Sequence, residues 1–134
     1  MIPYGRQSIC PEDIQAVVDV LNSAYLTQGP KIPEFEKKIS SYVKAPYALA
    51  VNSATSALHI ACLALGLEES DILWTSPISF VASANCALYC GAKVDFVDIS
   101  PDTLNISIDT LKIKLIEAEK LGICLLYTSP SPRD

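Results

Sequence analysis

Two short stretches of this chain carry the residue types that hold a phosphorylated, flat ligand. Asn52-Ser53-Ala54-Thr55-Ser56-Ala57-Leu58 lies between a β-branched run and a helical pattern. Small residues there let a ligand approach the backbone. The N–H groups of a first helical turn, together with hydroxyls, then offer donors to a phosphate. The same pattern suits plain helix capping by Asn52 or Ser53, and spacing alone favours capping. Thr75-Ser76-Pro77-Ile78-Ser79-Phe80-Val81-Ala82-Ser83 repeats the design at the next strand end. Phe80 would point over the same crevice as Thr55. It is either an aromatic that stacks on a flat ring or an ordinary core phenylalanine, and spacing does not separate the two. His59, one turn into the first helix, reads as a packed residue rather than a catalyst.

Other chemistries find no support. Gly5, Gly29, Gly66, Gly91 and Gly122 form neither a G-x-G-x-x-G nor a Walker loop. No Ser/His/Asp set, paired acid–base carboxylates or metal cluster emerges. Cys10, Cys62, Cys86, Cys90 and Cys124 are odd in number and contain no C-x-x-C pair. They read as buried free thiols in a reduced cytoplasm, not as disulfides or a zinc site. With 10 Lys+Arg against 15 Asp+Glu and a net charge of −5, the chain lacks the basic run that nucleic acid or an anionic membrane would attract. Ala45–Leu67 and Ile72–Ala92 are uncharged and long enough to span a bilayer. Each is interrupted by Asn, Ser and Pro, however, into a short strand, a polar turn and a helix, as in a buried α/β core.

The elements that must position these residues follow from their punctuation. Met1–Ile9 is an extended arm. Pro11 opens a helix with Glu12 and Asp13 in its first turn and Ile14, Val17, Val18 and Leu21 at helical spacing, and Asn22-Ser23 ends it. Ala24–Ile32 is a loop carrying Gly29-Pro30. A second helix covers about Pro33–Val43, with Phe35, Ile39 and Tyr42 on one face. Strands are expected at Tyr47–Val51, Ile72–Thr75 and Lys93–Ile99. Helices follow them at Thr55–Leu65, Phe80–Cys90 and Asp109–Leu121, the second closed by Gly91 and the third turning Leu111, Leu115 and Ala118 inward. Strands alternating with helices of this length imply βαβ units and a parallel sheet, hence the α/β class. Three strands make a small sheet for that class, so the chain reads as part of a larger domain.

Six motifs in order carry a resemblance: Leu26-Thr27-Gln28-Gly29; Phe35-Glu36; Asn52–Leu58; Pro77-Ile78-Ser79-Phe80-Val81-Ala82; Gly91-Ala92-Lys93-Val94-Asp95-Phe96-Val97-Asp98; and Asp102-Thr103-Leu104-Asn105-Ile106. Together they resemble the start of the DegT/DnrJ/EryC1/StrS sugar aminotransferases, over Met1 to about Gly122. The resemblance implies part of the large domain of a fold-type I, aspartate-aminotransferase-like enzyme dependent on pyridoxal 5'-phosphate (PLP). It implies that Ala54, Thr55 and Ser56 hold the cofactor phosphate and that Phe80 stacks on its ring. Tyr4 and the loop Ala24, Tyr25, Leu26 and Thr27 would shape a sugar-nucleotide site. Two departures from the family pattern stand out. Ala54 replaces the commoner glycine, which requires an ordinary backbone angle there. Ser107 replaces an aspartate, which bears on helix capping.

For the intact enzyme the resemblance implies transfer of an amino group from L-glutamate to C4 of a UDP-linked 4-keto-6-deoxy-N-acetylhexosamine, by a cytoplasmic homodimer. Neither nucleic acid nor membrane is an expected partner. The family's cofactor-linking lysine lies downstream of these motifs. Lys31, Lys37, Lys38, Lys44, Lys93, Lys112, Lys114 and Lys120 match none of the family's lysine motif, so no catalytic residue is assigned and this polypeptide is expected to be inert. A lysine-less sugar 3-dehydratase of the same family and a non-catalytic α/β binding module are the rival readings. Residues 1–123 are read as the native part. Cys124–Asp134, CLLYTSPSPRD, matches one reading frame of a transposon-end adapter used to build sequencing libraries and is read as a non-native tail, against the plainer alternative of a loop or frayed terminus.

Overall fold

The computed structural model describes residues 5–123 and divides the chain into two compact units, Met1–Ala50 and Val51–Asp134. Tyr4 and the tail Cys124–Asp134 lie outside the described residues.

The first unit holds α1 (Pro11–Leu21) and α2 (Lys31–Val43). Pro11 at the first helical position needs no N–H partner, and the Asp13 carboxylate reaches back to accept the Cys10 N–H at 2.9 Å. That bond holds the Asp13 carboxyl below the ordinary carboxylate range. Along α2, Glu34 pairs with Lys38 (2.9 Å) and Lys31 (3.1 Å), exposed contacts that solvent screens. Lys44 ends the helix in the left-handed conformation at φ 57°, where Ala45 N–H reaches the Ser40 carbonyl. Glu36 then accepts the Ala50 N–H at 2.8 Å and ties residues 45–50 to α2. Residues 47–51, expected as a strand, join no ladder among the described residues. Their β-branched and aromatic pattern suits extended backbone, but a strand exists only where a second chain segment takes up its N–H and C=O groups.

The helical spacing expected in α1 and α2 is present, and the apolar faces it marks are open. Ile14, Val17, Val18 and Leu21, and likewise Phe35, Ile39 and Tyr42, are exposed. Periodicity marks an apolar face without specifying what covers it.

The second unit runs α3 (Ala54–Ala64), β1 (Ile72–Thr75), α4 (Ala82–Tyr89), β2 (Lys93–Phe96) and α5 (Ile108–Lys120). β1 and β2 pair in parallel, from Ile72 opposite Lys93 to Thr75 opposite Phe96, with α4 as the crossover. The expected third strand is thus shorter than Lys93–Ile99. Val97 N–H still reaches the Thr75 carbonyl, but Ile99 forms only a single antiparallel bridge to Ile106. Gly91 turns the chain from α4 into β2 at φ 77°, letting Ala92 N–H bond the Ala87 carbonyl at 3.0 Å. Ser107 caps α5, its Oγ accepting Thr110 N–H at 3.2 Å.

α4 packs on α3 and both strands. The buried core is built from small residues: Cys62, Ala82, Cys86, Ala87, Ala92, Val97 and Ala118. On α5, Leu111 and Leu115 are half-buried and Ala118 is buried, as the pattern requires. The expectation of buried thiols holds for Cys62 and Cys86. It fails for Cys10, which is exposed because it sits at the outer end of α1, and Cys90 is half-buried. Burial, with the neighbouring Cys86 thiol, pushes Cys62 up to about 11 and keeps it protonated at neutral pH. Among the described residues no helix is long and apolar enough to cross a membrane.

Candidate functional site

Two places in the structure carry the predicted site residues, one in each unit. In the second unit the turn into α3 forms a closed polar network. Ser53 is the N-cap, in extended backbone at φ −160° and ψ 157°, and its Oγ accepts the Ser56 N–H at 3.2 Å. The Ser53 and Ser56 hydroxyls lie 3.0 Å apart, and Ser56 Oγ donates to the Asn52 side-chain carbonyl at 2.7 Å. Capping by Ser53 is therefore present, as the spacing favours. The network still leaves the Ala54 and Thr55 N–H groups without an acceptor among the described residues. Two outward donors at the positive end of a helix form an anion-receptive turn. Ala54 is helical and absent from the positive-φ residues, so the side chain that replaces the family's glycine carries no strain. Thr55 and Ser56 are half-buried and Ala54 is exposed.

Replacing Ser53 with alanine is expected to cost about 1 kcal/mol of stability. The loss would appear as a lower urea midpoint for unfolding followed by circular dichroism. An unchanged midpoint would show that the cap contributes nothing.

His59, half-buried on the next turn, meets Tyr89 of α4 edge-on, with ring centroids 5.3 Å apart and planes at 60°. That is a packing role. Phe80 falls in the turn before α4 rather than inside the helix, where Ser83 N–H returns to its carbonyl at 3.0 Å. Its side chain is 75% exposed, so an uncovered aromatic face is present.

In the first unit, residues 19–32 enclose a cavity of about 280 Å³. Tyr25, Leu26 and Thr27 line it, together with Asp19, Gln28 and Lys31; Ala24 is not part of the lining. The structure therefore brings together three of the four loop residues expected to shape a ligand site. Sequence reasoning missed Asp19 and Lys31, the charged residues of the cavity. Their neighbours Gly29 and Pro30 signal a turn but not what that turn encloses.

The model of the DegT/DnrJ/EryC1/StrS aminotransferase family matches residues 7–124. The chain is 44% identical over 117 residues to the UDP-4-amino-4,6-dideoxy-N-acetyl-beta-L-altrosamine transaminase of Campylobacter jejuni strain 81-176, covering 87% of this chain and 31% of that protein. Among solved structures, Spr1654 of Streptococcus pneumoniae, described as a sugar aminotransferase and determined in a PLP-form, superposes with a TM-score of 0.80 at 33% identity. The match covers 84% of this chain and 29% of that one. The Escherichia coli GDP-4-keto-6-deoxy-D-mannose-3-dehydratase with bound hydrated PLP matches with a TM-score of 0.77 at 26% identity, over 83% and 30% of the two chains. The chain thus spans about a third of the length of the relatives it matches. The capped turn into α3 and the parallel β1–α4–β2 unit lie inside the region that the family model covers, and on that match the chain belongs to the DegT/DnrJ/EryC1/StrS aminotransferase family.

Proposed function

We propose that this chain is the amino-terminal part of a PLP-dependent nucleotide-sugar aminotransferase. The enzyme moves an amino group from L-glutamate to C4 of a UDP-linked 4-keto-6-deoxy-N-acetylhexosamine, within pseudaminic acid biosynthesis, as a cytoplasmic homodimer. The observation that carries this reading is the family match over residues 7–124. The 44% identity to the altrosamine transaminase supports its choice of sugar.

The donor set suits the cofactor. The Ala54 and Thr55 N–H groups, with the Ser56 hydroxyl turned from Asn52, would hold its phosphate at the N-terminal end of α3, where the helix dipole adds to the attraction. No carboxylate occurs between Asn52 and Leu58 to oppose an anion. The Phe80 ring supplies the flat apolar surface for the pyridine. The bound cofactor would supply an electron sink, through which an amino group passes between donor and ketone. The contribution of this chain is to anchor and orient. Thr55 and Ser56 would anchor the phosphate end, Phe80 would stack on the ring, and the cavity lined by Tyr25, Leu26 and Thr27 would take the sugar nucleotide, a role proposed for Tyr4 as well.

A second reading, a sugar dehydratase that uses PLP without a linking lysine, is favoured by the structural match to the E. coli dehydratase. Sequencing the source locus past the codon for Ile123 separates the readings. A frame continuing into a lysine-bearing cofactor motif supports the aminotransferase, and histidine in its place supports the dehydratase. A genome that itself encodes CLLYTSPSPRD followed by a stop overturns both and leaves a non-catalytic module. On the aminotransferase reading, the 134-residue chain mixed with PLP and reduced with borohydride gains no site-specific lysine adduct by peptide mass spectrometry. A single stoichiometric adduct would overturn the assignment of the linking lysine to the downstream region.

A further inference from the structure

The loop between α1 and α2 is folded back on Tyr25 by two of its residues. Ser23 ends α1, and its Oγ shares one proton between the carbonyls of Val20 (2.8 Å) and Tyr25 (3.1 Å). The same oxygen accepts the Tyr25 N–H at 3.2 Å. Four residues beyond Tyr25 the backbone passes over it. A Cβ added at Gly29 would stand 2.9 Å from Tyr25 Cβ, closer than non-bonded carbons tolerate, and 3.4 Å from the Tyr25 carbonyl oxygen. Gln28, at φ 54°, takes the left-handed conformation that brings the chain round, one that a side chain adopts only under an external constraint.

Tyr25 is therefore held through its backbone by Ser23, and the missing side chain at Gly29 leaves the room that its Cβ occupies. Tyr25, Leu26 and Thr27 form one wall of the 280 Å³ cavity. Ser23 and Gly29 also line the cavity, but the hydroxyl proton of Ser23 is spent inside the loop and Gly29 has no side chain, so what each gives the cavity is the shape of its wall. We infer that Ser23 and Gly29 are positioning residues, which hold the Tyr25–Thr27 wall in the shape that accepts a nucleotide. The nucleotide half of this inference rests on the proposed reading of the cavity as the sugar-nucleotide site.

The test uses the isotope-labelled 134-residue chain, with UDP as the probe. Ser23→Ala and Gly29→Ala are each expected to shift the amide resonances of residues 25–27, leaving those of α1 and α2 in place. Hydrogen exchange at the Tyr25 amide should accelerate about tenfold or more, and UDP affinity should fall by a similar factor, the change that about 1.4 kcal/mol of lost interaction produces. Ser23→Thr keeps the hydroxyl and is expected to restore both readouts. Wild-type exchange at Tyr25 in both alanine variants overturns the positioning role. So does unchanged UDP affinity when the wild-type wall binds UDP. If UDP leaves residues 25–27 of the wild type unmoved, the nucleotide reading of the cavity fails, while the exchange rates still decide whether Ser23 and Gly29 hold the wall.

Discussion

Leucine in place of Ala87 is expected to destabilise the Val51–Asp134 unit by about 3 kcal/mol, the upper part of the usual range for overpacking a closed core. Ala87 is fully enclosed, at 0% exposure, on a helix that packs against α3, β1 and β2 at once. The core around it is lined by alanines, cysteines and one valine, so these elements approach closely and leave no volume for an isopropyl group. Local backbone structure adds to the cost. The Ala87 carbonyl accepts N–H groups from both Cys90 (2.9 Å) and Ala92 (3.0 Å), the two bonds that end α4 and turn the chain into β2. A side chain that forces α4 outward therefore also strains the entry to the sheet. Urea unfolding monitored by circular dichroism should show a much lower midpoint for Ala87→Leu. Ala61→Leu, on the exposed side of α3, should stay within about 0.5 kcal/mol of the wild type. Equal midpoints for the two variants would mean that the small-residue core does not limit stability.

Local signals carried most of the fold, and long-range pairing accounts for what they missed. Pro11, Ser53, Gly91 and Ser107 each act within one turn of themselves, and α1, α3, α4 and α5 begin or end at those residues in the structure. The βαβ unit follows from alternation, which is also local. Residues 47–51 show the limit, because extended backbone is written in their side chains and a strand partner is not. The exposed apolar faces of α1 and α2 show it again. The candidate site divides the same way. Ser53 caps α3 through the Ser56 N–H as the spacing requires, but the close approach to Tyr25 that only a glycine at position 29 permits is made across a turn that no periodicity encodes.

Lys114 is the clearest case of a long-range contact, and its removal is expected to have the second-largest effect. The sequence places it simply on an amphipathic helix, yet its ammonium group joins three elements. It pairs with Asp95 and donates to the Phe96 carbonyl at 2.7 Å, both in β2, and it lies 5.2 Å from the ring centroid of Trp74 in β1. The lysine side chain is only 21% exposed, while Asp95 is 52% exposed, so solvent screens the ion pair more than it screens the bond to the carbonyl. A charged hydrogen bond, a screened ion pair, a cation–π contact and the packed stem together make about 2 kcal/mol a reasonable loss for Lys114→Ala. Lys114→Met keeps the stem and should lose less.

The pH dependence separates the ion pair from the rest. The bond from Lys114, then the Phe96 N–H, holds the Asp95 carboxyl below its ordinary value. A carboxylate depressed in the folded state stabilises fully above its unfolded value, and that contribution is lost as pH falls through the folded value. Asp95→Asn should therefore be less stable than the wild type at neutral pH and converge with it below the ordinary carboxylate range, near pH 4 and lower. Lys114→Ala should keep part of its deficit there, because the Phe96 carbonyl and the Trp74 ring do not titrate. If the wild type and Asp95→Asn differed equally at neutral and acid pH, the ion pair would not be what α5 contributes to the sheet. If Lys114→Ala also lost its entire deficit in acid, the carbonyl and ring contacts would contribute nothing, and α5 would be held by Leu111, Leu115 and Ala118 alone.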